Sequence, residues 1–226
     1  MNTFGEKPFL VLENGDRLTR DEFERRYGQC SHIKKAELIN GVVFVASPVR
    51  VQHAQPHGQI MTWLGNYAVA CTFVMLCDNV TVRLDGQNEV QPDALLRLDQ
   101  SVGGRSQITP DNYIEGPPEL IVEIASSSAS YDLHDKKEVY CRCGVKEYLV
   151  WVVGENSFYW YQLVNQTYVQ QLPCEEGILR SREFAGLWLN LPALLKGVMQ
   201  PVMFTLQTRL GSPEYQKFID ALTSRK

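Results

Sequence analysis

The sequence predicts an α/β (α+β) domain in which a central mixed β-sheet is flanked by helices. Short apolar runs with strand character recur along the chain, among them LIVEIA at 120–125 and EYLVW at 147–151. The segment between these two runs has the charged, tyrosine-containing pattern of a helix, so strand, helix and strand follow one another. At 226 residues the chain is long enough for one substantial domain with its own core.

The first elements are predicted from periodicity and turn signals. The stretch DRLTRDEFERRYGQ is typical of a short amphipathic helix. KAELINGVVFVAS predicts two strands joined by a turn at Asn40-Gly41. A second helix is expected to begin near His57, because Pro56 suits the entrance of a helix.

The later elements follow from the same signals. The patterns predict two strands around Asp85-Gly86, a polar loop at 101–118, a hairpin at 156–173, a strand with a turn of helix at 178–197, and a terminal helix after Pro213. There is no internal repeat, so we expect one domain over residues 1–199. Residues 200–226 are expected to form a C-terminal helical tail.

Composition indicates an ordinary globular protein with 44% hydrophobic and 21% charged residues. The net charge of −4 counts against a nucleic-acid binder or nuclease, whose phosphate contacts usually show as a basic excess, although a local patch can act against the average. The N-terminus lacks the pattern of a secretory signal, and no apolar run is long enough to cross a bilayer. We therefore expect a cytoplasmic protein with no membrane contact, whose six cysteines are free thiols.

Two carboxylates stand at apolar runs. Alternation places Glu123 on one face of LIVEIA together with Ile121 and Ala125. Asp93 follows Pro92 at the entrance of another run, ALLRL. Carboxylates at the ends of neighbouring strands are suited to hold Mg²⁺, which prefers oxygen ligands and keeps several waters.

A cation is expected near such a pair. The strand offers none, since Ala125 stands two residues after Glu123. On the following helix, Asp132, Lys136 and Tyr140 share one face. Lys136 is therefore predicted to turn towards the carboxylates, with Asp132 near enough to steady it, while Lys137 points elsewhere.

The arrangement of an Asp, a Glu and a nearby Lys resembles the PD-(D/E)XK nuclease superfamily, and more closely its Uma-two type restriction-endonuclease-like family. The residues that carry this resemblance are Gln91-Pro92-Asp93, Gly116 to Glu123, Tyr131-Asp132-Leu133 with Lys136 and Tyr140, and Gly144 to Tyr148. It covers roughly residues 17 to 195. The resemblance implies a restriction-endonuclease-like core in which Asp93 and Glu123 bind metal and Lys136 is the catalytic lysine, moved from strand to helix.

The same resemblance implies further site residues. Glu37 matches an early acidic position ahead of a hairpin and would join the metal ligands. His57 matches a histidine at the start of the second helix and would support the site, as would Asp132. Asn40 departs from the pattern, because an acid is common at its position. A zinc pair of His53 and His57 is not expected, since Pro56 should break the helix between them.

Structural interpretations stay open for each residue taken alone. Glu123 and Glu37 can each be a buried acid paired with a lysine or arginine. Asp93 after proline is common turn chemistry, and Lys136 in a Lys-Lys-Glu run is typical of a solvated helix face.

Two functions from different classes are therefore predicted. The first is an endonuclease that uses Mg²⁺ (or Mn²⁺) to hydrolyse phosphodiester bonds of DNA, its expected substrate. The alternative is a catalytically silent nuclease-fold module that binds nucleic acid or protein. The segment from about residue 200 onward lies beyond the family pattern and is a candidate for homodimer contacts, since a two-fold dimer would suit a duplex.

Overall fold

A computed structural model of the chain describes residues 11–126 and 129–226. The described strands are β1 (Ala36–Ile39), β2 (Val42–Val45), β3 (Val74–Asp78), β4 (Val82–Asp85), β5 (Asn88–Val90), β6 (Ala94–Leu98), β7 (Gln107–Ile108), β8 (Ile114–Glu115), β9 (Leu120–Ala125), β10 (Glu147–Val152), β11 (Ser157–Val164), β12 (Thr167–Gln171), β13 (Ile178–Arg180) and β14 (Trp188–Asn190). The described α-helices are α1 (Arg20–Tyr27), α2 (Val51–Ala70), α3 (Ala129–Tyr131), α4 (Lys137–Cys143), α5 (Leu191–Leu195), α6 (Met199–Leu210) and α7 (Pro213–Thr223), with a π-helical turn over Asp132–Lys136 between α3 and α4.

The strands form two six-stranded sheets and a separate hairpin. The first sheet has the order β2-β1-β5-β4-β8-β7, and the second has the order β12-β11-β10-β9-β6-β3. Both sheets are mixed, because β4 pairs with β8 and β9 pairs with β10 in parallel while their other pairs are antiparallel. The predicted α/β class is confirmed, but a single central sheet was too simple, since local patterns indicate strands without indicating their partners.

The predicted strand–helix–strand unit at 120–151 lies in the middle of the second sheet. β9 and β10 run parallel, with Val150 opposite Glu123, and the chain crosses between them through the helices at 129–143. On its other side β9 pairs antiparallel with β6, where Ala94 is opposite Val122. Asp93 directly precedes this ladder and Glu123 directly follows Val122, so alternation places the two predicted carboxylates side by side on the same face.

The second sheet separates two apolar clusters. Val122 and Ile124 of β9 pack into the cluster that includes residues of α2 and α6. Ile121 and Ala125 belong to the cluster on the opposite face. The predicted alternation of LIVEIA is confirmed, and it places Glu123 on the face that looks towards the first sheet.

Helix α2 begins earlier than predicted. It starts at Val51, so the expectation of a start near His57 and of a break at Pro56 was wrong. Pro56 lies one turn and a half into the helix, where its missing N–H leaves the carbonyl of Gln52 without an intrahelical partner. The loss is limited to one hydrogen bond near the helix start. The consequence is that His53 and His57 lie one turn apart on one continuous helix.

The C-terminal segment packs on the main core. The terminal helix predicted after Pro213 is present as α7, and α6 precedes it. Val202 and Leu206 of α6 and Leu222 of α7 are buried in the cluster that also contains residues of α2. The division between residues 199 and 200 falls in the first turn of α6 and stays a prediction.

Two expectations about the chain, free cysteines and no membrane-spanning helix, can be compared with the structure. The six cysteines all carry free thiols. Within residues 11–126 and 129–226, no helix has both the length and the apolar character needed to cross a bilayer. The cytoplasmic location itself stays a prediction.

Candidate active site

The candidate site is a cleft of about 1150 Å³ that receives residues from both large sheets. β1 of the first sheet contributes Glu37, while the second sheet contributes Glu123 from β9 and Asp93 from the residue before β6. The π-helical turn contributes Lys136. Other polar residues that line the cleft are Asn14, Lys35, Arg50, Gln52, His53, His57, Asn79 and Asp132.

Lys136 joins the acids of the two sheets. Its Nζ lies 2.9 Å from Glu37 Oε2, 2.9 Å from Glu123 Oε1 and 3.7 Å from Asp132 Oδ1. The lysine side chain is only 3% exposed. The prediction that Lys136 turns to the carboxylates with Asp132 beside it therefore matches the geometry. The role of Lys136 in a reaction stays a prediction.

The helix that carries Lys136 contributes a second donor to Glu123. The hydroxyl of Tyr140 donates to Glu123 Oε1 over 2.8 Å. The π-helical turn ends at Lys136 and α4 continues from it, which leaves Lys136 and Tyr140 on the face that covers β9. Glu123 is buried and receives hydrogen bonds from both, which is how a carboxylate persists inside an apolar strand.

Burial and crowding of acids set the protonation equilibria around Lys136. Burial raises the pKa of Glu123, and the neighbouring carboxylates Asp93, Asp132 and Glu37 add to the rise against the attraction of Lys136. For Lys136 itself burial lowers the pKa, but Glu123, Glu37 and Asp132 outweigh it, and the pKa lies well above its ordinary value. Lys136 is therefore a permanent cation at neutral pH.

Asp93 is held by a different set of partners. Its Oδ2 lies 3.0 Å from His53 Nε2 and accepts the backbone N–H of Ile124 over 2.8 Å. Its Oδ1 lies 3.3 Å from Lys35 Nζ. Burial raises the pKa of Asp93, but His53, Lys35 and the Ile124 amide together outweigh it and hold the pKa below its ordinary value. Asp93 is therefore ionised at neutral pH.

The second histidine of α2 fixes the backbone at the same place. His57 Nε2 lies 2.9 Å from the carbonyl oxygen of Asp93 and 3.2 Å from Asp78 Oδ1. Since both partners accept, the Nε2–H of His57 is the donor. His57 supports the loop that carries Asp93, whereas His53 contacts the carboxylate itself.

The acids of the cleft have the donor chemistry that Mg²⁺ requires. Glu37, Asp93 and Glu123 offer only oxygen ligands, and a hard divalent cation would offset their buried charge. In the part of the chain that the structure describes, however, no three His, Cys, Asp or Glu side chains form a ready-made metal centre. The reason is that the carboxylates are directed at Lys136, Lys35 and His53.

Two residues of the cleft, Lys35 and His53, and one buried residue beside it, Tyr140, were not predicted as site residues. Lys35 precedes Glu37 by two positions in an extended segment, so strand alternation could have placed both on one face. His53 was considered only as part of a zinc pair with His57, and that pair was not expected because Pro56 was predicted to break the helix between the two histidines. Tyr140 was placed on the helix face of Lys136 without a role in the site, and only the structure shows that its hydroxyl donates to Glu123.

Comparison with known proteins agrees with this architecture. The sequence profile of a family described as "Uma2: Putative restriction endonuclease" matches residues 20–192. Among solved structures, a crystal structure described as "a putative nuclease belonging to DUF820 from Anabaena variabilis ATCC 29413" is similar, with a TM-score of 0.61 and 12% sequence identity over 77% of this chain and 97% of that chain. No curated protein matches the sequence.

These matches define the class of protein. The structural similarity shows a restriction-endonuclease-like fold, and at 12% identity it shows the fold alone. The sequence match spans most of the chain, and the protein belongs to the Uma2 family. The resemblance predicted from Asp93, Glu123 and Lys136 is confirmed at the level of the family.

Proposed function

We propose that the cleft hydrolyses phosphodiester bonds of DNA with Mg²⁺, or Mn²⁺, as its cofactor. The observation that carries the proposal is the meeting of Glu37, Asp93 and Glu123 with Lys136 in one cleft between two sheets. Membership of a family described as "Putative restriction endonuclease" supports a nuclease rather than another hydrolase.

The roles of the residues follow from their chemistry. Asp93, Glu123 and Glu37 would hold the metal, which when bound would activate a water and offset charge on the phosphodiester. Asp93 is already ionised and held in place by His53 and the Ile124 amide, so it would offer a positioned, charged carboxylate to the metal.

Lys136 has a role that does not depend on the metal. Its Nζ lies 2.9 Å from an oxygen of Glu37 in one sheet and 2.9 Å from an oxygen of Glu123 in the other, and its positive charge limits the repulsion between the two carboxylates. The family pattern implies that Lys136 orients the attacking water or helps to deprotonate it. Only orientation fits this lysine, because an ammonium ion with a raised pKa cannot accept a proton, and orientation would require one of these ion pairs to open. Asp132 would position Lys136, and His57 would position Asp93.

A nicking assay on supercoiled plasmid tests the proposal. Wild-type protein should nick DNA with Mg²⁺ or Mn²⁺ and not with EDTA, and Glu123→Gln should lose at least a hundredfold in rate. Glu147→Gln is the matched control, because Glu147 is an equally buried glutamate outside the cleft. Equal rates for wild type and Glu123→Gln, or no nicking by wild type on any DNA substrate tested, would refute the proposal.

A second function is favoured by one specific observation. The carboxylates are already paired with Lys136, Lys35 and His53, as in a structural ion-pair network. A catalytically silent module that binds nucleic acid or protein would have this arrangement without needing metal. A thermal shift by Mg²⁺ that disappears in Asp93→Asn would argue against this alternative, and no shift would support it. A cytoplasmic location and a homodimer remain part of the proposal.

A further inference from the structure

The ammonium of Lys136 is buried among three acids. A lysine ammonium has three N–H donors. Two are directed to Glu37 and Glu123 at 2.9 Å, and Asp132 Oδ1 lies 3.7 Å from the same nitrogen as a longer ion-pair contact. The side chain is 3% exposed, so a phosphate could reach Lys136 only after displacing one of these acids.

A second ammonium lies in the same cleft and is accessible. Lys35 Nζ contacts Asn79 Oδ1 at 3.1 Å and Asp93 Oδ1 at 3.3 Å, which leaves one N–H without a partner among the described residues. Its side chain is 23% exposed and lines the cleft beside Glu37. Lys35 is therefore a cation that lines the cleft and has one N–H that could donate to a ligand.

A closed set of polar contacts holds Lys35 in place. Asn79, which accepts from Lys35, donates through its Nδ2 to Asp78 Oδ1 over 2.7 Å. Asp78 in turn accepts from His57, which also donates to the backbone of Asp93, the partner of Lys35. The Lys35 ammonium is thus held by Asn79 and Asp93, which are themselves held in place, before any ligand binds. This lowers the entropic cost of a contact between Lys35 and a ligand.

The backbone of Lys35 is fixed as well. The amide of Ala46 donates to the carbonyl of Lys35 over 2.9 Å, so the β1–β2 ladder continues one residue beyond β1. With alternation along this extended segment, Lys35 and Glu37 point to the same face while Lys34 points to the opposite face and is exposed.

We propose that Lys35 is the residue of this chain that contacts the DNA phosphate in the cleft, donating its free N–H to a non-bridging oxygen, while Lys136 holds the carboxylates together. This inference rests on the proposed function, because it assigns a phosphodiester to the cleft. It differs from the family expectation in separating the buried lysine from the one that meets the substrate.

The test compares Lys35→Gln, Lys35→Arg and Lys34→Gln with wild type. Lys34→Gln removes the same charge one residue away on the outer face and is the matched control. Binding of a fluorescein-labelled DNA duplex is measured by anisotropy with Ca²⁺ in place of Mg²⁺, over a series of salt concentrations. Single-turnover cleavage with Mg²⁺ and the thermal unfolding midpoint of each variant are measured alongside.

The inference predicts a specific pattern. Lys35→Gln should bind about tenfold more weakly, and its slope of log K against log salt should be smaller by about 0.9, as for one lost phosphate contact. Its cleavage rate should fall about a hundredfold. Lys35→Arg should keep the wild-type salt slope, and Lys34→Gln should resemble wild type in both measurements.

Two different failures can be told apart. If Lys35→Gln and Lys34→Gln share the wild-type salt slope, or if wild type binds no duplex at low salt, the role of Lys35 is refuted. If wild type binds DNA with the predicted pattern but cuts none, the role of Lys35 in contacting DNA stands and the hydrolytic function fails. A fall in binding that accompanies a lowered unfolding midpoint, and that Lys35→Arg does not restore, would mean that Lys35 only supports Asp93, and would also refute the inference.

Discussion

Lys136 Nζ lies 2.9 Å from Glu123 Oε1, and this ion pair explains why a glutamate occupies the middle of a buried strand. Both side chains are 3% exposed, so neither charge is compensated by bulk water. Because Lys136 also pairs with Glu37 of the other sheet, the same contact joins the two large sheets at the cleft. Stability and the proposed chemistry therefore depend on the same few charges.

Removal of the ammonium should be costly even without metal. In Lys136→Met the buried Glu37 and Glu123 lose their shared partner, and breaking a buried ion pair in this way costs about 3–5 kcal/mol. Lys137→Met is the control, since the Lys137 ammonium lies over the ring of Tyr161 in a cation–π interaction at 4.0 Å. Loss of this cation–π interaction should lower the free energy of unfolding by about 0.5–1 kcal/mol. Urea unfolding with EDTA measures both, and equal losses would contradict the account.

The hydroxyl of Tyr140 should stabilise the fold more than that of Tyr148. Tyr140→Phe removes a donor to Glu123 and should cost about 1.5–3 kcal/mol, as for hydrogen bonds to charged groups. Tyr148→Phe removes a donor to the backbone carbonyl of Asp132 and should cost about 1 kcal/mol. Both tyrosines are fully buried, so the packing change is the same. A reversed order in urea unfolding would show that the hydrogen bond from Tyr140 to Glu123 adds less to stability than that from Tyr148 to Asp132.

Glu147 should make stability fall as the pH rises towards neutrality. It is buried at the start of β10 and accepts from the Ser181 hydroxyl at 2.6 Å and the Arg182 amide at 2.7 Å. Burial raises its pKa from 4.5 to about 7, against these hydrogen bonds. The folded state therefore holds a proton that the unfolded chain releases near pH 4.5, so the free energy of unfolding decreases between those two values.

The Glu147→Gln variant isolates this contribution. Relative to wild type it should gain up to about 3 kcal/mol of stability between pH 4.5 and pH 7, measured as the difference in unfolding free energy at each pH. Glu138→Gln changes an exposed glutamate of α4 and should leave the pH profile of wild type unchanged. If Glu147→Gln follows the wild-type profile, Glu147 is not held protonated by burial.

Helix α6 should contribute to the main core. Leu206 is fully buried in the cluster that contains residues of α2, and Leu206→Ala should cost about 2–5 kcal/mol. Phe204 on the same helix is 71% exposed, so Phe204→Ala should change the free energy of unfolding by less than about 0.5 kcal/mol. A small cost for Leu206→Ala in thermal or urea unfolding would mean that residues 200–226 form a tail that the core does not need.

The local elements around the site could be predicted from the sequence. Alternation in LIVEIA placed Glu123 on the correct face, and helical spacing turned Lys136 to it. These predictions succeeded because each depends on a period within a single element. The family resemblance then added Glu37, which no local period connects with Glu123.

The remaining features depend on tertiary contacts. A helix was expected to begin near Pro56, but α2 has an additional turn before this residue. His53 lies in that turn and contacts Asp93, which is distant in the sequence. The approach of Lys35 to Asp93 joins two sheets, and strand patterns carry no information on such a pairing. The ion pair of Lys136 with Glu37 could not be predicted for the same reason.

Binding of Mn²⁺ tests the central claim most directly, because it asks whether Glu37, Asp93 and Glu123 act as one cation site independently of any substrate. Calorimetry or electron paramagnetic resonance should detect one specific Mn²⁺ site in wild type and in Glu147→Gln. Glu123→Gln and Asp93→Asn should each weaken it at least tenfold, since each removes a charged oxygen ligand. Equal Mn²⁺ affinity in all four proteins, or no specific site in wild type, would contradict the account.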